Sequence, residues 1–365
     1  MAKHKKSDRI LLIIITLILL FGLVIFFSAS LGLLARDGAR FGSVVSSQLG
    51  LGVVAGGIFA IIVSNISYKK WGRYSFWIFL FTLILTLAVF IPGIGFSHGG
   101  ARRWISIGNQ TMQPAEFLKI AYIIYLSAWI ANVKKKIKTK KYGLLPFLII
   151  SGSAAAVLLA QPDTGTTILM LGAGAAIYFM SGANLKHILV VGFMGLIAIA
   201  ILLLMKPYLL QRVTTYINPA ADSLGAGYQI QQSLIAIGSG GIAGRGFGQS
   251  LQKFNYLPEP IGDSIFAVAA EEFGFIGAFI LIFLFSALLF RGYQLSLRTR
   301  DTFGGLLMLG LVILITAQSF FNMAAMLGIL PLSGLPLIFV SHGGTAMFFA
   351  LFSVGIILNI SKDIK

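Results

Sequence analysis

What most constrains this chain is its succession of apolar stretches of roughly 20 residues, the length at which an α-helix crosses the hydrocarbon of a bilayer. Ten can be read, at roughly residues 10–32, 46–66, 74–95, 114–132, 143–160, 164–182, 187–206, 264–290, 303–329 and 335–360. Backbone polar groups in lipid must be satisfied within each segment, and no stretch alternates like a barrel strand, so the expected fold is all-α. Of the 365 residues 57% are hydrophobic and only 11% charged, the balance of a polytopic membrane protein. We expect a single membrane domain over 1–365, with one long outer connection, about 206–263, between the seventh and eighth spans. No internal repeat marks an inverted-repeat transporter. Cysteine is absent, which excludes disulfides, thiolate metal sites and cysteine nucleophiles.

Lys and Arg set the orientation. A formal net charge of +17 would suggest nucleic acid in a soluble protein, but here the placement of the charges explains it. With the N-terminus inside, nineteen fall on cytoplasmic segments, including the run 134–141. Eight fall outside: Arg36, Arg40, Arg102, Arg103, Lys206, Arg212, Arg245 and Lys253. The positive-inside rule then puts both termini in the cytoplasm. The basic start followed by Ile10–Phe27 imitates a secretory signal, but its apolar core exceeds the usual ~7–15 residues, so an uncleaved first span is expected. The run GSGGIAGRGFG at Gly238–Gly248 imitates a phosphate loop, yet such loops need a preceding strand in a βα unit, and none is readable here.

The outward segments carry the chemistry. Arg245–Glu272 holds Glu259, Asp263, Glu271 and Glu272, four of the eleven acidic residues. Low dielectric opposes a carboxylate at the edge of a span, which makes it a functional candidate, and Asp263 leads. In His98–Ile120, the paired Arg102 and Arg103 suit a phosphate through charge-assisted bidentate bonds. Gln113-Pro114-Ala115-Glu116 reads as a helix start, with Pro114 in its first turn and Glu116 favoured there by the dipole. Lys119 shares that face, so Glu116 and Lys119 read either as substrate ligands or as an internal ion pair. Asp163 in Gln161–Thr166 caps the following helix or joins the site.

The long connection has helical spacing at Tyr228–Ile237 and is expected to lie ordered on the membrane surface. Gly328–Pro336 breaks the helical register between the last two spans, and Ser341, His342, Gly343 and Gly344 interrupt the tenth near its outer end. Such a break is tolerated only where it is buried in protein or lines a cavity. His342 has no His or Cys neighbours in sequence, which favours a packed, hydrogen-bonded ring over a metal ligand. Outward cations, one or two carboxylates and an apolar bundle together suit a lipid-linked sugar diphosphate.

Several motifs then carry a resemblance. They are GARRW at Gly100–Trp104, QPAEFLK at Gln113–Lys119, QPDTGT at Gln161–Thr166, GYQIQQSLIAIGSGG at Gly227–Gly241, GFGQSLQKFNYLPEP at Gly246–Pro260 and GILPLSGLPLIFVSHGG at Gly328–Gly344. In order and over most of the chain, they resemble the SEDS family of peptidoglycan glycosyltransferases, which includes FtsW, RodA and SpoVE, and are most similar to the FtsW branch. The resemblance implies a ten-span fold in the bacterial cytoplasmic membrane and polymerisation of lipid II at its outer face during septal wall synthesis. A RodA-like role in elongation and a flippase role for the same lipid are the alternatives. It implies Asp263 as general base, with Arg102, Arg103 and Lys119 on the diphosphate. Gln113, Glu116, Asp163, Lys253, Glu259, Ser341 and His342 fall on motif positions as further substrate-binding candidates. The implied partners are a class B penicillin-binding transpeptidase and divisome proteins. A divalent cation such as Mg2+ or Mn2+ is also implied, although the sequence shows no dedicated cage for one. The chain departs from the family's usual His-Thr before the aspartate, where it reads Ile261-Gly262, and from a common Tyr, where it has His342.

Overall fold

The computed structural model describes residues 7–35, 37–98, 101–107, 110–219 and 225–364. The basic start at Lys3, Lys5 and Lys6, Arg36, Gly100 and the terminal Lys365 lie outside the described residues. The helices run α1 (Arg9–Leu34), α2 (Gly38–Ser46), α3 (Gly56–Asn65), α4 (Tyr68–Leu87), α5 (Pro114–Val133), α6 (Leu145–Ala160) and α7 (Thr164–Met180). They continue with α8 (Leu185–Met205), α9 (Pro207–Ile217), α10 (Ala226–Ser239), α11 (Gln252–Asn255), α12 (Ile265–Arg298), α13 (Thr302–Met326) and α14 (Gly344–Ser361). A π-helical stretch, Ser47–Ala55, joins α2 to α3 in one continuous rod. Among the described residues nine helical stretches are long and apolar enough to cross a membrane, and α7, with 17 residues, is a shorter apolar one. Each expected span therefore has its helix.

Local chemistry starts and stops these helices. Asp8, Asp163 and Asp301 accept hydrogen bonds from the N–H groups of Leu11, Thr166 and Gly304, N-caps worth about 1 kcal/mol each. Pro114 opens α5, with Glu116 in the first turn, as the sequence predicts. The centre of the bundle is α5, α13 and α14, while α8 buries almost nothing against its neighbours. Close helix approach depends on absent side chains. A Cβ on Gly355 of α14 would stand 2.6 Å from the Ala60 carbonyl of α3, and one on Gly22 of α1 would strike the Phe339 carbonyl.

Within this helical fold one element is added and one boundary moves. Between α4 and α5 lies a small antiparallel sheet, order β1-β2-β3, built from β1 (Gly95–His98), β2 (Ala101–Ile107) and β3 (Gln110–Met112). Lying between spans, it escapes the rule that lipid-facing backbone be helical. The tenth span begins at Gly344, not near 335, because residues 327–343 form an irregular re-entrant segment, largely buried from Leu335 to Ser341. Gly328 and Gly334 adopt positive φ, and Pro331 and Pro336 lack the N–H that a helix would use.

The glycine-rich run 238–248 has a structural use. Helix α12 breaks at Gly274, with φ +65. Across the break, the carbonyls of Glu271 and Glu272 accept from the N–H groups of Arg245 (3.0 Å) and Gly246 (2.9 Å). The N–H groups of Phe275 and Ile276 donate to Gly241 (2.8 Å) and Ile242 (3.2 Å). The loop splices itself into the helix and satisfies the groups that the break frees.

Candidate active site

Asp263 sits one residue before the N-cap of α12, at the end of the long connection from α8. Glu259, with φ +46, turns the chain sharply, and its carbonyl accepts from the N–H groups of Gly262 (3.0 Å) and Ser264 (3.2 Å). Phe339, on the facing re-entrant segment, also has a left-handed backbone, φ +66. Non-glycine residues held in that region carry strain that clusters at functional sites.

The segment is fixed by the bundle behind it. Ser341 Oγ donates to the Gly262 carbonyl (2.8 Å) and accepts from the Leu337 N–H (2.8 Å). Asn322 Nδ2 donates to the Asp263 carbonyl (2.8 Å), and the His342 N–H to that of Ile261 (2.7 Å). Gln48, fully buried in the π-helical stretch, holds the re-entrant segment by accepting from Gly343 N–H (2.9 Å) and donating to the Ser341 carbonyl (3.2 Å). The Ile261-Gly262 departure therefore leaves Asp263 anchored through its backbone.

Two cations act electrostatically on the carboxylate. Arg103 on β2 donates to the Gln161 carbonyl through Nε (3.2 Å) and to the Pro162 carbonyl through Nη2. Arg212, on α9, lies within the electrostatic reach of Arg103, Asp163 and Asp263. Asp163 also accepts from Gln113 Nε2 (3.2 Å), which joins the start of α5 to the start of α7. Burial is the main force on the Asp263 carboxyl and pushes it up to about 6; Glu259 adds to the rise, and Arg212 and Arg103 oppose it. Burial and the neighbouring Arg103 lower Arg212 from its ordinary value. The positive fields of Arg212 and Arg103 both act on this one carboxylate, and such a region favours a further anion.

Other expected residues are placed elsewhere. Arg102 is exposed, whereas the next residue on the strand, Arg103, turns inward, so the paired arginines do not form one clamp. Lys119 is buried inside the bundle, donating to Glu116 (2.9 Å) and to Gln318 Oε1 (2.7 Å). Lys253 is fully buried and bonded to Glu272 (2.6 Å) and Ser28 Oγ (3.1 Å), on the side of the loop toward α1. Ser341 is occupied by backbone. The His342 ring stacks on Phe26 at 6.4 Å, and burial together with Arg40 holds its imidazole below the usual value. Sequence reasoning missed Arg212, which entered only as an outside charge, and Asn322, hidden in an apolar span. No three His, Asp or Glu side chains converge among the described residues, so the protein groups present make no cage for a divalent cation.

This geometry can be set beside known proteins. A family model described as "Cell cycle protein", that of FtsW, RodA and SpoVE, matches residues 8–365. The chain belongs to this family. It is 38% identical to stage V sporulation protein E of Bacillus subtilis (strain 168) over 366 residues, 99% of both chains. It is 36% identical to a probable peptidoglycan glycosyltransferase FtsW of Geobacter sp. (strain M18), over 100% of this chain and 99% of that one. Its fold matches a solved peptidoglycan synthase complex that coordinates polymerization and crosslinking, with TM-score 0.79 and 26% identity over 98% of both chains. The Thermus thermophilus rod shape determining protein RodA shares the fold, with TM-score 0.71 and 24% identity over 98% of this chain and 97% of that one. This SEDS protein is thus a multi-pass membrane protein.

Proposed function

We propose that this SEDS protein is an inverting peptidoglycan glycosyltransferase, which polymerises lipid II into β-1,4 glycan strands at the outer face of the cytoplasmic membrane during septal wall synthesis. The observation that carries the proposal is the anchored turn that holds Asp263 just before α12, its carboxyl pushed up to about 6 by burial and under the electrostatic influence of Arg103 and Arg212. A base with a pKa near the working pH combines a populated carboxylate with useful proton affinity, and such catalysis typically contributes about 10²–10⁴-fold. Asp263 takes the proton from the acceptor sugar 4-hydroxyl as its oxygen attacks the donor's anomeric carbon. The bond to the diphosphate breaks in the same displacement, which inverts an α-linkage to β without a covalent nucleophile. Arg212 and Arg103 offset the charge gathering on the leaving diphosphate. Gln113 and Asp163 hold the wall of the site, and exposed Arg102 offers a further phosphate contact at its rim.

The charge distribution supports a cytoplasmic location for both termini. Relatives named FtsW and the similarity to a synthase complex support a class B penicillin-binding transpeptidase and divisome proteins as partners. The direct test is to incubate purified protein with lipid II, with and without a cognate transpeptidase, and resolve the products on a gel. Glycan ladders are the expected outcome. Flipping of lipid II across vesicles with no polymer under any condition would favour transport instead.

A further inference from the structure

Three consecutive carbonyls, those of Ile261, Gly262 and Asp263, carry the loop that presents the base, and the donor to the third stands apart. Asn322 projects from α13 and is 1% exposed. Its Nδ2 donates to the Asp263 carbonyl and to the Leu335 carbonyl, both at 2.8 Å. One amide thus ties the backbone of Asp263 to the re-entrant segment at the point where that segment meets its carboxylate. A Cβ on Gly334 would stand 3.6 Å from Asp263 Oδ2, in ordinary contact.

The amide's orientation is fixed by its surroundings. Both neighbours of the nitrogen are carbonyl oxygens, so the flipped rotamer would set oxygen against oxygen at two places. Its own Oδ1 is buried with no hydrogen-bond partner among the described residues. Gln318, one turn earlier on α13, makes the contrast: its Nε2 donates to the Pro336 carbonyl (3.0 Å), and its Oε1 accepts from Lys119. Gln318 is satisfied at both ends, Asn322 at one. A polar side chain inside a span whose acceptor is left unmet is poorly explained by packing, since leucine would fill similar space without the desolvated oxygen. What leucine lacks is the pair of N–H groups.

We propose that Asn322 is a positioning residue for the reaction, clamping the backbone of Asp263 to the Leu335 carbonyl so that the carboxylate meets the acceptor hydroxyl at reacting distance. The inference rests on the reading of Asp263 as general base. Asn322 does not touch substrate and acts through the loop. Displacing a reacting group by about 1 Å costs up to ~10²-fold in rate even when binding is untouched. The groups facing the carboxylate are Glu259 from its own loop, Arg103 from β2 and Arg212 from α9. Since burial is the largest cause of the raised pKa, loosening the loop admits water and lowers it.

The test uses full-length protein with its transpeptidase partner and compares wild type, Asp263→Asn and Asn322→Leu in lipid II polymerisation. The kcat and KM are measured from pH 5 to 9 and normalised to the folded fraction by fluorescence-detected size exclusion. Asn322→Ala replaces the leucine variant if that fails to fold. We expect Asn322→Leu to lower kcat about 10- to 100-fold with KM nearly unchanged, and to move the acid limb of the rate profile to lower pH. Wild-type kcat and limb in the folded variant would overturn the inference, as would a loss that tracks folded protein alone with the limb unmoved. An active Asp263→Asn would instead remove the base reading itself, and the inference with it, so the two failures are distinguishable.

Discussion

Replacing Lys253 by methionine separates a structural lysine from a substrate ligand. Its ammonium is fully buried against Glu272, itself 1% exposed, at 2.6 Å, and Ser28 Oγ is 3.1 Å away. The neighbouring Glu271 accepts from Ser250 Oγ (2.5 Å) and from the N–H groups of Leu251 (3.0 Å) and Gln252 (3.3 Å), so the two carboxylates gather the whole turn 250–253 onto α12. Lys253→Met leaves Glu272 buried beside Ser28 and the Ser250 N–H without its cation. Breaking a buried pair from one side typically costs about 3–5 kcal/mol, far above the ~0–1 kcal/mol of an exposed pair. Replacing both residues, as Lys253→Met with Glu272→Gln, removes the stranded charge. The double variant should recover a coupling energy of about 1–3 kcal/mol. Thermal unfolding by intrinsic tryptophan fluorescence in detergent reads all four corners of the cycle. A single variant with unchanged unfolding and a raised KM for lipid II would refute the reasoning and return Lys253 to the substrate.

Two further predictions concern the charges around Asp263. Catalysis needs the carboxylate, so the rate should rise with pH through an acid limb near pH 6. Glu259→Gln, which removes a neighbouring negative charge, should shift that limb downward, and a fixed limb would contradict the assigned electrostatics. Arg212→Gln should shift it upward, because a cation that favours the ionised form is lost. It should also weaken lipid II binding, whereas unchanged binding and limb would detach Arg212 from the site.

The sequence disclosed the fold because each span is a long, predominantly apolar run, and polar breaks such as Gln161–Asp163 are sharp even when short. It singles out Asp263 as the candidate base through the physics of a carboxylate at a membrane edge, and the motifs named its family. It did not disclose partnership. Lys253 looks like a free cation in the sequence, and Lys119 reads equally as a ligand or as the partner of Glu116, since nothing local says that Glu272 and Gln318 complete them from other elements. Arg212 sits on α9, and its proximity in space to Arg103 and Asp263 is set by tertiary packing. The sheet at 95–112 is hard to read in the sequence because its strands are only three to seven residues long. The re-entrant segment was flagged by its glycines and prolines, but its length was underestimated, since residues 335–340 are apolar enough to pass for helix.

The most direct measurement is lipid II polymerisation by wild type and Asp263→Asn side by side, at pH 7.5, with substrate binding followed in parallel. Burial of the ionised carboxylate opposes folding above its raised pKa, so the asparagine variant should be at least as stable as wild type at this pH. The account predicts lipid II binding by both proteins, glycan strands from wild type, and a loss of about 10²–10⁴-fold in the variant. Equal polymer from the two, with both folded, would contradict the assignment of Asp263 as the base.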